Sequence, residues 1–184
     1  MKPIQGYDLI NEAGEFKRLP AGIYPIVITN IIDRPEGEYL EIYVDIAKGD
    51  YKDYFKTAVE NGLKDTSRSI RSYKTNALPF FKAFITAIEK SNPGYQWDWD
   101  ESKLIGKKAV GIFAEEEYLK DGQVKLSTKL YEVRSFEAYQ AGKLSVPPIK
   151  RVYAETVAPA MSEVAEQFDN NAEAPTLLDD DFPF

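Results

Sequence analysis

Residues 39–46 read YLEIYVDI, and their alternation decides the fold class. Leu40, Ile42, Val44 and Ile46 fall on one side of an extended chain; Tyr39, Glu41, Tyr43 and Asp45 fall on the other. A period of two marks a strand with one buried face, and half-buried strands belong to antiparallel sheets. Upstream, residues 22–32 (GIYPIVITNII) are dense in β-branched and aromatic side chains. They predict a preceding strand, with Pro25 marking an edge or a bulge. The stretch Arg34-Pro35-Glu36-Gly37 supplies turn residues between the two. Lys48-Gly49-Asp50 predicts a second turn, and residues 51–56 a third strand or the lead into one.

Residues 57–74 show no clear period. The pattern then changes over residues 77–90, where Leu78, Phe81, Ile85 and Ile88 recur at spacings of three and four. That predicts an amphipathic helix, capped by Asn76, with Pro79 in its first turn and Ser91-Asn92-Pro93-Gly94 as its stop. Phe80, Phe81 and Phe84 are expected in the core, and Trp97 and Trp99 are expected to be structural. Residues 107–115 and 124–134 read as a closing hairpin around Lys120-Asp121-Gly122. Five strands with one helix between the third and fourth predict an all-β OB-fold, a five-stranded Greek-key barrel, over residues 1–152.

The chemistry is bounded by what is missing. Among 184 residues there is no cysteine and no histidine. Disulfides, thiolate metal sites, the commonest general base and the commonest zinc ligand are thereby excluded. The triplet Glu115-Glu116-Glu117 cannot aim three carboxylates at one metal from a strand, because neighbours point to opposite faces; a solvated hairpin end accounts for it. No phosphate loop or nucleophile elbow is present. The expectation is a binding protein, not an enzyme, with no cofactor and no metal. No apolar run approaches the roughly 18–20 residues of a membrane span. The opening MKPIQGYDLINEAG lacks the apolar stretch of a secretory signal, so a cytoplasmic location is expected.

The net charge of −7 is segregated. Residues 1–150 hold 22 basic and 22 acidic side chains; residues 151–184 hold Arg151 against eight acids. From residue 153 the chain is rich in Ala, Glu, Pro and Asn and has no sustained period. Such composition predicts a disordered acidic tail over 153–184.

In the body, aromatic rings are interleaved with cations. Tyr39 and Tyr43 lie on the polar side of their strand. Lys48, Tyr51, Lys52, Tyr54, Phe55 and Lys56 follow, then Arg68, Arg71, Tyr73 and Lys74. The last strand offers Lys125, Lys129, Tyr131 and Arg134. Unpaired bases stack on rings, and Lys or Arg neutralises the phosphates between them, so this surface predicts sequence-independent binding of single-stranded nucleic acid. The plainer account is that tyrosine is a good strand former and lysine blunts exposed edges.

The chain closes on Asp179, Asp180, Asp181, Phe182, Pro183 and Phe184. This tip resembles the D-D-D-I-P-F terminus of bacterial single-stranded DNA-binding proteins, with phenylalanine in place of isoleucine. In the body, residues 19–55 (LPAGIYPIVITNIIDRPEGEYLEIYVDIAKGDYKDYF) and 78–118 (LPFFKAFITAIEKSNPGYQWDWDESKLIGKKAVGIFAEEEY) resemble a group of phage-encoded proteins thought to bind single-stranded DNA. The resemblance implies a protein that protects single-stranded DNA in replication, recombination and repair. It implies that the six tip residues dock on basic pockets of partner proteins from those processes. It leaves a homo-oligomer open. The alternative is a β-rich protein–protein interaction adaptor that binds no nucleic acid; a carboxylate-metal nuclease is disfavoured by the missing constellation.

Overall fold

The computed structural model describes residues 17–151 continuously, together with Lys2, Pro3 and Gln5. These belong to the unit Met1–Val152. The predicted tail and all six residues of its tip lie outside the described residues.

The described chain is mostly β: one five-stranded antiparallel sheet with a few helices. Strands β1 (Gly22–Arg34), β2 (Tyr39–Ile46), β3 (Arg68–Ser72), β4 (Lys108–Lys120) and β5 (Gln123–Arg134) are arranged in the order β3-β2-β1-β4-β5. The 13-residue β1 changes partner along its length. It pairs with β4 over residues 22–27 and with β2 over residues 26–34. Pro25 lies one residue before the β2 ladder begins. A register shift between Ile28 and Asn30 bends the strand, as bulges do. The two ends of the sheet meet where Ser69 Oγ of β3 donates to the Leu130 carbonyl of β5 at 3.4 Å, but no ladder joins them among the described residues. The sheet is therefore not closed into the continuous barrel expected from the element order.

The alternation of residues 39–46 is realised as expected on one side. Leu40, Ile42, Val44 and Ile46 are all buried. They pack with Ile26 and Ile28 of β1 and with Phe113 and Leu130 of the closing hairpin. The helix α2 (Leu78–Ser91) covers this layer with Phe81, Phe84, Ile85, Ala87 and Ile88. Each large side chain fully buried here contributes about 1.5–3 kcal/mol. Leu78 and Phe80, expected on the buried stripe or in the core, are instead exposed. Asn76 does not cap the helix: Thr75–Ala77 forms a 3-10 turn and Ala77 holds the cap position without a side-chain bond.

Two segments differ from the sequence expectation. Residues 51–56 do not form a strand; α1 (Tyr54–Glu60) starts there. Its reason is Asp45. The carboxylate of this buried residue accepts from Phe55 N and Lys56 N, both at 3.0 Å, which serves the orphan amides of a helix start from a neighbouring strand. The third strand comes later, within residues without a visible period, because RSIRS is held by its ladder to β2 and not by its own composition. A short third helix, α3 (Phe136–Gln140), follows β5. The acidic triplet lies inside β4, which runs on to Lys120. Glu115 pairs with Arg18, and Glu116 with Lys129 at 2.7 Å and Lys150 at 3.3 Å.

No helix among the described residues is long and apolar enough to cross a membrane.

Candidate nucleic-acid interface

The side of the sheet opposite the core carries a grid of three strands by three rungs. The ladders align Arg34, Tyr39 and Ser72 on one rung. Ile32, Glu41 and Ile70 form the next, and Asn30, Tyr43 and Arg68 the third. Directly opposed residues in antiparallel strands share a face, so all nine lie on the same side. Tyr39 and Tyr43 stand four residues apart on the central strand of this grid, one rung on either side of Glu41, with Arg34 beside the first and Arg68 beside the second.

Glu41 organises the centre. Its carboxylate is buried and lies 3.5 Å from Arg34 Nε and 3.6 Å from Arg68 Nη2. Tyr43 donates its hydroxyl to Glu41 at 3.3 Å. Burial, followed by the neighbouring Glu41 carboxylate, holds the Tyr43 phenol above its ordinary value. Two cations share one anion, and each guanidinium is nearly half exposed. The exposed side of each guanidinium is open to a phosphate while Glu41 keeps its hold on the other side. Ile70, directly opposite Glu41, is 47% exposed and adds an apolar platform.

The face continues across the seam between β3 and β5. Ser69 and Leu130 meet there on the core side. Alternation therefore sends Arg68 and Ile70 outward on one bank, with Lys129 and Tyr131 on the other. Tyr131 is 62% exposed and sits where the β4–β5 register shifts. Lys129 is engaged with Glu116, and Arg134 pairs with Glu132 at 2.6 Å. Lys125 lies farther out, opposite Tyr118.

The other predicted site residues are elsewhere. Phe55 is 4% exposed, against Phe113 at a ring separation of 6.0 Å. Tyr51 and Tyr54 complete an edge-to-face chain from Tyr24 to Phe55, and the Tyr54 hydroxyl accepts from Leu19 N at 2.8 Å. Phe55 is thus a core residue with no ring face open to stack a base, while Tyr51 and Tyr54 are partly buried against the core. Lys48, Lys52 and Lys56 are exposed around them, with Lys52 near Asp53 and Lys56 near Glu60.

Arg71 is opposite Leu40 and therefore turns to the core side. Its guanidinium lies over Phe84 at 5.8 Å, and Nη1 donates to Ser69 Oγ and the Ile70 carbonyl, both at 2.9 Å. Nη2 is buried with no hydrogen-bond partner. Burial lowers this guanidinium to about 10, offset in part by Glu132; it stays charged at neutral pH but is not aimed at solvent. Tyr73 packs edge-on against Phe81 and donates to Asp33 at 2.8 Å, away from the grid. Lys74 is exposed beyond it.

Arg34 and Ile70 are the residues that sequence reasoning missed. Arg34 reads as part of a turn, and Ile70 lies in a segment without period. Their signal was positional: Arg34 is opposite Tyr39 across a four-residue connection, which a hairpin register would have given.

No protein-family model matches the chain, and no curated protein matches it.

Proposed function

We propose that the protein binds single-stranded DNA without sequence preference through the outer face of β1, β2 and β3, continued by Tyr131 and Lys129 of β5. The observation that carries this reading is the placement of Tyr39 and Tyr43 on one strand with Arg34 and Arg68 at their sides. Rings separated by one intervening rung and flanked by guanidiniums suit successive bases and phosphates. No reaction is required; affinity comes from stacking and counterion release, and falls steeply with salt.

The finer fold reading belongs to the same proposal. The order β3-β2-β1-β4-β5, the helix between β3 and β4, and the contact of Ser69 with Leu130 support an OB-type barrel with its seam between β3 and β5. In that fold the β2–β3 face is a recognised surface for oligonucleotides. The acidic tip, Asp179 to Phe184, is proposed to recruit replication and recombination proteins by setting an aromatic side chain and carboxylates against a basic pocket. Its resemblance to the bacterial tip is the support. A cytoplasmic protein of phage type fits this reading.

The test is a titration of labelled oligo-dT and a matching duplex at two salt concentrations. Tight, salt-sensitive binding of the single strand alone is expected. Equal binding of duplex, or no binding of either, overturns it. The neutral balance of residues 1–150 favours one second reading, the protein–protein adaptor, since DNA-binding domains are usually basic. Absence of binding to both nucleic acids selects it.

A further inference from the structure

A second surface on the body has different chemistry. A groove of about 770 Å³ runs between α2, the β1–β2 end of the sheet and residues 97–101. Its floor is apolar, built from Phe81, Ile85 and Trp97, with Leu78 open at its mouth. Trp99 forms one wall. Its indole is 82% exposed and stands 6.0 Å from the Trp97 ring. Its backbone has φ of 68°, a left-handed conformation that bulky residues rarely adopt. Strain of this kind persists where the surrounding structure enforces it, and it concentrates at binding sites.

The rim is acidic. Asp33, Glu89 and Glu101 line it against the single cation Lys82. The acids extend beyond the lining. Tyr73, inside the groove, is pushed up to about 12 by burial first, then by its bond to Asp33 and by the nearby carboxylates of Glu38 and Glu36. At the other end Tyr95 is raised by burial and by Asp98, Glu89 and Asp100, with Lys103 acting against them. A phosphate backbone would meet repulsion at both ends, and so would the acidic tip of this chain.

We propose that this groove is a docking site for a basic amphipathic peptide segment of a partner protein, with apolar anchors against Trp97, Trp99 and Leu78 and Lys or Arg at the acidic rim. Charge complementarity selects the occupant, and an exposed tryptophan beside a desolvated floor is the usual centre of such a contact. The site lies apart from the Tyr39–Tyr43 face and does not depend on DNA binding.

Trp97 and Trp99 are the only tryptophans in the chain, so intrinsic emission reads the groove directly. The experiment uses the full chain and a labelled 14-residue peptide of leucine and lysine at amphipathic helical spacing. A second peptide with glutamate in place of lysine is the control. The lysine peptide is expected to shift tryptophan emission and to bind at least about tenfold more tightly than the control. Trp99→Ala and Glu101→Lys, both at non-core positions, should each weaken it by a similar factor, while Tyr43→Ala leaves it unchanged. Equal binding of the two peptides, or indifference to both groove variants, overturns the proposal. So does quenching by oligo-dT that Trp99→Ala abolishes, which would make the groove a nucleic-acid path instead.

Discussion

Glu41 and Arg68 stand on adjacent strands with Arg68 Nη2 3.6 Å from Glu41 Oε1, the carboxylate enclosed by the sheet and the guanidinium open to water. The anion therefore holds the cation in place without hiding it. Arg34 is held from the other side in the same way.

Replacing Arg34 and Arg68 together by alanine should lower the slope of log affinity against log salt by about 1.4, from two phosphate contacts at roughly 0.7 each on a single strand. Glu41→Gln should act in the opposite sense at low salt, because both guanidiniums lose their competitor for phosphate. Anisotropy of labelled oligo-dT across a salt series measures both. A slope unchanged in the arginine double variant would remove this face from the binding site.

Tyr39→Ala and Tyr43→Ala should each weaken binding by about 1–3 kcal/mol, the value of one stacked base, and should leave the melting temperature close to that of the parent. Phe55→Ala should do the reverse. It vacates a buried ring site, for a stability loss of about 3–5 kcal/mol. Paired melting and binding curves separate the two classes; loss of fold in both tyrosine variants would contradict the assignment.

Asp45→Ala strips Phe55 N and Lys56 N of their acceptor in a buried setting. Bonds to a charged acceptor are worth about 1.5–3 kcal/mol, and the unsatisfied amides add a desolvation cost. A loss of at least about 2 kcal/mol is expected in urea melts, with amides of α1 becoming the fastest-exchanging helical amides. Full protection of α1 in the variant would show that the helix start does not rely on this carboxylate.

Tyr73 carries a raised folded value of about 12 against an ordinary 10.0. Its neutral form is the one the fold favours. The associated stability is complete below pH 10 and is lost as pH climbs from 10 toward 12, because the unfolded chain gives up that proton first. Tyr73→Phe should flatten this part of the stability profile, by an amount that solvent screening of the partly exposed ring keeps modest. Other phenols, Tyr24 and Tyr54 among them, are raised mainly by burial, so the decline should shrink and not vanish. An unaltered profile would show that the folded state does not hold the Tyr73 phenol above its ordinary value.

Deleting residues 153–184 removes eight acids and no base. Affinity for oligo-dT should rise at low salt, and the gain should fade as salt screens the charge. Equal affinities at low salt would count against competition between tail and DNA.

The legible part of this fold was its periodic part. Residues 39–46 repeat strictly, and the structure places their boundaries at Tyr39 and Ile46. The helix of residues 77–90 was found within one residue for the same reason. What stayed hidden was held by partners distant in sequence. α1 depends on a carboxylate ten residues or more upstream of the amides it serves, and β3 depends on a ladder to β2. Composition misled where aromatic residues were assigned by type. Phe55 has core volume and core burial, while Phe80 and Trp99 have the same chemistry and face water. Of the rings and cations expected to grip bases, Tyr39, Tyr43 and Arg68 share the grid because the β2–β3 ladder puts them on one face. The rings of the 48–56 connection, with Arg71 and Tyr73, were drawn toward the core by packing that no local pattern encodes, while Lys48, Lys52 and Lys56 stayed exposed away from the grid.

β3 is a five-residue strand laddered only to β2, with its second edge meeting β5 at the Ser69 hydroxyl. Across that seam the join is made by side chains and not by a ladder: the Ser69 hydroxyl reaches the Leu130 carbonyl, and Arg71 anchors the strand from beneath against the Phe84 ring. The outer face thus passes from Arg68 and Ile70 to Tyr131 over an interruption in the backbone hydrogen bonding.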